Sequence, residues 1–84
     1  MLNVAIVEDT PQDALTLSEQ LKRYGREKNI AIEQTVFKNA LIFLQNYKGE
    51  YDIVFMDIDM PVLNGMNAAR CLREVDQHVM LILP

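Results

Sequence analysis

Four short apolar runs alternate with amphipathic or polar stretches along the chain. The first, Leu2-Asn3-Val4-Ala5-Ile6-Val7, is rich in β-branched residues and predicts a strand that stops on Glu8-Asp9. Thr10-Pro11-Gln12-Asp13 then carries helix-start chemistry: Thr10 as cap, Pro11 at the first helical position, and Asp13 where a capping box places an acid. Ala14, Leu17, Leu21 and Tyr24 recur at three- and four-residue spacing, which predicts one apolar stripe on that helix. Gly25 can close it, or the polar run Arg26-Glu27-Lys28-Asn29 can extend it by a turn. Residues 31–37 alternate only in part, as a strand near a sheet edge does. Asn39 can cap a second helix that buries Ala40, Leu41, Phe43, Leu44 and Tyr47, and Lys48-Gly49-Glu50 ends it.

Ile53-Val54-Phe55-Met56 is apolar throughout, too short for a helix, and predicts a strand buried on both faces. It stops on Asp57. Val62-Leu63-Asn64-Gly65 has turn chemistry, and a third helix from about Asn64 is expected to carry Met66, Ala69, Leu72 and Val75 inward. Residues 79–83 form a fourth apolar strand. This βαβαβαβ pattern implies a parallel α/β sheet with helices on both faces, in strand order 2-1-3-4. Strands one and three are then neighbours, about 4.8 Å apart, and their carboxyl ends form the floor of a ligand crevice.

Composition narrows the class. Eighty-four residues, half of them hydrophobic, suit one small domain spanning 1–84. No run approaches the roughly 20 apolar residues of a membrane span, so no membrane partner is expected. The single cysteine, Cys71, has no internal partner, which suits a reducing cytoplasm. A net charge of −4 with scattered basic residues argues against nucleic-acid binding by this chain.

The candidate chemistry lies in the acids that end strands one and three. A lone acid after a strand is ordinarily a helix cap or a solvated loop residue. Two acidic strand ends on adjacent strands are harder to explain that way, and Thr10 already supplies the cap. Carboxylates held close repel, so one keeps its proton or a cation enters. Glu8, Asp9 and Asp57, with a nearby backbone carbonyl, form a hard and incomplete oxygen set that suits Mg²⁺. Such a site points to phosphoryl transfer onto an aspartate.

Glu8-Asp9, the Asp57-Ile58-Asp59-Met60-Pro61 loop and Gly65 together resemble the receiver domain of two-component response regulators, in register across the whole chain. The resemblance implies a flavodoxin-like fold and a regulatory module, not an enzyme with an external substrate. It implies that Asp57 is the phospho-acceptor, supplied by a sensor histidine kinase. Glu8 and Asp9 would hold Mg²⁺, Asp59 would lend its backbone carbonyl, and Met60, Pro61 and Gly65 would shape the pocket. The wording of residues 51–74 resembles regulators with a LytTR-type output.

The chain also departs from that pattern. A full receiver is about one and a half times as long, so residues 1–84 are expected to lack its last strand and last two helices. Thr35 is the last Ser or Thr and Lys48 the last Lys, so neither the hydroxyl nor the lysine of the family's switch falls in place. Weak Mg²⁺ binding and impaired phosphorylation are therefore expected. A homodimer or swapped oligomer through residues 79–83 is also expected, because an apolar edge strand is a template for pairing. The alternative function is a binding or dimerisation fragment with a vestigial acidic pocket. An aspartate-nucleophile phosphohydrolase is disfavoured, since its D-x-D motif follows a first strand and wants Thr or Val where Pro61 stands. Cys71 reads as a small core-edge residue, His78 as isolated, and Lys22-Arg23 and Arg70-Arg73 as solvated helix faces. Asp52 lies at the wrong end of its strand for the pocket.

Overall fold

The computed structural model describes residues 1–60 and 63–83. Its elements are β1 (Leu2–Val7), α1 (Pro11–Lys28), β2 (Ile32–Phe37), α2 (Ala40–Gln45), β3 (Ile53–Met56), α3 (Gly65–Val75) and β4 (Met80–Ile82). All strand pairs are parallel, in the order β2-β1-β3-β4. Both the element sequence and the strand order match the expectation from the hydrophobic pattern.

Alternation along the central strands divides the core into two layers. Ala5, Val7, Val54 and Met56 pack with Ala40 and Phe43 of α2, Ala68 and Leu72 of α3, and Met60 and Val79. Val4 and Ile6 face the other way, onto Ala14 of α1, with Leu17 and Leu21 around them. The first layer is the thicker. Phe37, Tyr47 and Tyr51 crowd round Phe43 with ring centroids 5.2–6.2 Å apart, distances at which edge-to-face and tilted pairs attract. On the α1 layer, Ile53 and Phe55 are only partly buried, so β3 is covered on one face rather than both. The physical reason is that α1 lies over β1, and no other helix among the described residues packs on that layer.

Several local expectations are corrected. Of the two ends open to α1, the structure takes the extension through the polar run and not closure at Gly25. The helix runs on to Lys28 and ends on Asn29, which adopts the left-handed conformation (φ 56°). Gly25 is instead a close-approach residue, because a Cβ there would lie 2.9 Å from the carbonyl oxygen of Ile30. Its position on the buried face follows from geometry: eleven residues from Ala14 is close to three whole turns, whereas Tyr24 falls about 100° away and is exposed. Thr10 makes no side-chain cap bond, so no capping box forms with Asp13. Asn39 does cap α2, its Oδ1 accepting from the Ile42 N–H at 2.8 Å. Leu41 is exposed, however, and Tyr47 lies beyond the helix end.

In α3 the buried face is Gly65, Ala68, Ala69 and Leu72, not the expected Met66, Ala69, Leu72 and Val75. Repeated three-residue steps drift round a helix of 3.6 residues per turn. Met66 and Val75, at the two ends of that series, are 51% and 71% exposed. Cys71 is exposed rather than at the core edge. Arg73 is not a solvated face residue: it is partly buried and donates to the carbonyl of Val79 at 2.7 Å. Strand β4 is three residues rather than five, with Met80 57% and Ile82 37% exposed. Asp52, at the end of the sheet remote from Asp57, bonds to the first strand through both its main-chain N–H and its carboxylate.

Candidate functional site

Glu8 and Asp57 each stand one residue past the end of their strand. The β1–β3 register sets Val7 against Met56, so the next residues on each strand, Glu8 and Asp57, arrive side by side. The ladder continues one step beyond the strands, with the Asp57 N–H donating to the Val7 carbonyl at 3.0 Å and the Glu8 N–H to the Phe37 carbonyl at 2.9 Å. These bonds hold both residues to the sheet while their side chains leave it. Asp9 adds a third acid, and one carboxylate oxygen from each of Glu8, Asp9 and Asp57 lies within 4.8 Å of the others.

Such crowding has an electrostatic consequence. Glu8 is partly buried, and that desolvation pushes its carboxyl up to about 7. The neighbouring Asp57 and Asp9 push the same way, against the Thr10 N–H, which donates to Glu8 Oε2 at 3.2 Å. Without a cation the cluster therefore holds a proton near neutral pH. The donor set is oxygen only and hard, and a divalent cation would relieve its repulsion more fully than a proton. It fits Mg²⁺, which binds one or two carboxylates and keeps water on its other positions.

The loop after Asp57 is fixed at close quarters. The Asp59 N–H reaches back to Asp57 Oδ1 at 3.3 Å, and the Gly65 N–H donates to the Ile58 carbonyl at 2.9 Å. A Cβ on Gly65 would lie 2.2 Å from the Asp57 carbonyl oxygen and 2.7 Å from the Ile58 Cα. Only glycine permits this packing of the start of α3 on the Asp57 peptide. Asn64 caps that helix, accepting from the Asn67 N–H at 2.9 Å. Met60 is buried in the core beneath the loop, and Pro61 lies outside the described residues. The Asp59 side chain is exposed and does not belong to the carboxylate group. Asp13, in the first turn of α1, borders the same depression as Glu8 and Asp57. The capping role expected for it is not filled, and its place in the first turn after the β1 acids is the signal for the position it holds.

Comparison with known proteins completes this picture. The response regulator receiver domain profile matches residues 4–83. The chain belongs to the response regulator receiver family. Two-component response regulator 24 of Arabidopsis thaliana is 52% identical over 76 residues, covering 88% of this chain and 50% of that protein. The non-phosphorylated HemR receiver domain from Leptospira biflexa superposes with a TM-score of 0.81 at 19% identity, covering 99% of this chain and 63% of that one. A response regulator protein, TrrA, in complex with the histidine kinase ThkA is represented at a TM-score of 0.67 and 27% identity, covering 99% and 67%. The chain thus spans about half of the plant regulator and about two thirds of these structures. Receiver domains are regulatory modules of two-component signalling that bind Mg²⁺ at an acidic site, and this receiver has such a cluster in Glu8, Asp9 and Asp57.

Two outcomes follow from the geometry. Because the Glu8 carboxyl is raised from 4.5 to about 7, the folded chain binds more protons than the unfolded chain between those values. In metal-free buffer, the thermal midpoint is expected to fall as pH rises from 5 to about 7, and Glu8→Gln to flatten that slope. Gly65→Ala is expected to cost about 2 kcal/mol or more in urea unfolding, because backbone rather than a flexible side chain blocks the new methyl.

Proposed function

We propose that this receiver takes a phosphoryl group on Asp57 from the phosphohistidine of a sensor kinase, in the cytoplasm. The observation that carries the reading is the convergence of three carboxylates from the ends of β1 and β3 within 4.8 Å. An Asp57 oxygen attacks the phosphorus, the P–N bond breaks, and the imidazole nitrogen leaves with the electron pair of that bond. Glu8, Asp9, Asp57 and the Asp59 carbonyl would hold Mg²⁺. When bound, the metal supplies positive charge against the phosphoryl oxygens. The Thr10 N–H keeps Glu8 oriented, and the Asp59 N–H keeps Asp57 oriented, before any phosphoryl group arrives. The Gly65 packing fixes the peptide that carries Asp57.

As an isolated polypeptide, residues 1–84 are proposed to be a slow acceptor. Residues 49–84 contain no Ser, Thr or Lys, so no hydroxyl or ammonium from that stretch can meet the phosphoryl oxygens. The same polypeptide is proposed to associate through residues 79–83, where Met80 and Ile82 present apolar side chains from a strand paired on one side only.

Incubation with acetyl phosphate and Mg²⁺, followed by intact-mass and peptide analysis, tests the acceptor. Sub-stoichiometric label confined to Asp57 and abolished by Asp57→Asn is expected. Label on another residue overturns the acceptor assignment, and stoichiometric, stable phospho-Asp57 overturns the impairment. Light scattering at micromolar concentration is expected to show dimers or larger species that Ile82→Lys returns to monomer. A monomeric profile for the unmodified chain would remove the association.

A further inference from the structure

At the opposite end of the sheet from the carboxylate cluster, the corner between α3 and β4 is built on Asp76. Its Oδ1 accepts the main-chain N–H groups of His78 at 2.9 Å and Val79 at 3.0 Å. Its Oδ2 accepts the Tyr47 hydroxyl at 2.5 Å, across 29 residues of sequence. Arg73 closes the corner from α3, donating to the Val79 carbonyl at 2.7 Å and the Asp76 carbonyl at 3.4 Å. Tyr47 is itself held in the aromatic layer, its ring 5.4 Å from that of Phe43. The corner delivers β4 to the sheet: the next ladder bond runs from the Met80 N–H to the Asp52 carbonyl at 3.2 Å. Strand β4 has only three residues and pairs with β3 alone.

We infer that the Asp76 carboxylate is a latch that holds β4 in register, closed by the Tyr47 hydroxyl and Arg73 and released when the carboxylate loses its charge. Three donors on one carboxylate are charge-assisted bonds, stronger than the neutral bonds of a three-residue edge strand. The groups facing Asp76 are Tyr47 from the α2–β3 connection, Arg73 from α3 and His78 from its own turn, with Glu50 near the tyrosine. The Tyr47 hydroxyl, followed by the His78 and Val79 N–H groups, keeps the Asp76 carboxyl below its ordinary range. Burial chiefly keeps the tyrosine protonated, as the donor the latch requires. A lowered carboxyl stabilises the fold above its unfolded value, and that stabilisation is lost as pH falls through the folded one. The latch has a reach beyond its corner. Ile82, the last residue of the strand it anchors, pairs with Phe55, two residues before Asp57. The inference does not depend on phosphoryl transfer.

Amide hydrogen exchange on the 84-residue chain tests it, with the Val4–Val7 amides of the central strand as internal reference. Tyr47→Phe is expected to speed exchange at Met80 and Ile82 about tenfold or more, while the reference amides change by less than about twofold. In the unmodified chain the ratio of β4 to β1 protection is expected to fall below about pH 4. In Asp76→Asn the ratio should already be low and insensitive to pH. Equal acceleration of both strands in Tyr47→Phe, or a ratio in the unmodified chain that does not change in acid, would overturn the latch. The acid titration needs no variant, so a substitution that fails to fold leaves the question decidable.

Discussion

The hydrogen bond from the Asp57 N–H to the Val7 carbonyl is the interaction on which the site depends. It extends the β1–β3 ladder one step past both strands and fixes Glu8 opposite Asp57. Carboxylates in that arrangement repel, and in a disordered loop they would move apart. Here Glu8 and Asp57 cannot, because each is tied by its own main chain to the sheet, whose face toward α2 and α3 is buried beneath them. Val7, Val54 and Met56 are at most 1% exposed. The free energy that holds like charges together is therefore that of the apolar layer beneath them. Burial first, and the neighbouring acids after it, raise the Glu8 carboxyl to about 7, and a cation would relieve the same crowding.

The second constraint is steric. Gly65 lets the start of α3 lie against the Asp57 peptide, and Asn64 caps the helix at the same point. The segment that carries Asp57 is thereby pinned from both sides, by β1 through a hydrogen bond and by α3 through contact. This explains how an eight-residue connection that includes two acids and a proline can keep one carboxylate at a fixed place. The far end of the sheet uses polar bonds for a similar purpose. Asp52 ties the start of β3 to Asn3 of β1 and to Met80 of β4, and Asp76 ties the turn before β4 to Tyr47. The sheet is thus held by polar bonds at its N-terminal edge and carries its crowded carboxyl groups at its C-terminal edge.

The local expectations that the structure corrects have separate physical causes. The face expected for α3 follows repeated three-residue spacing, and a helix does not repeat at three. The series on α1 mixes three and four and ends one residue short of the buried Gly25. Met66 and Val75 fell off the buried face of α3, and Tyr24 gave way to Gly25 on α1, because the wheel turns about 100° per residue. Composition leaves α1 two possible ends, Gly25 or a turn further on, and the left-handed residue that ends it is Asn29. Which of two turn-prone residues takes that conformation is decided by the packing of Ile30 against Gly25. Arg73 and Tyr47 were invisible as a pair, since their common partner Asp76 is 29 residues from the tyrosine and in no motif with it.

The pattern of apolar runs by itself determined the alternation of strands and helices, the parallel sheet, and the strand order that joins β1 to β3. The reason is local: a run of four to six apolar residues ending on an acid has few other ways to fold, and parallel connections admit few topologies. The strand-end position of Glu8, Asp9 and Asp57 was legible for the same reason. Tertiary structure alone decided how close those acids come, which of them is driven to keep a proton, why residue 65 must be glycine, and that Asp76 anchors the last strand. Each of these is a distance between residues far apart in the chain, fixed by how the layers pack, and no local pattern of residue types encodes such a distance.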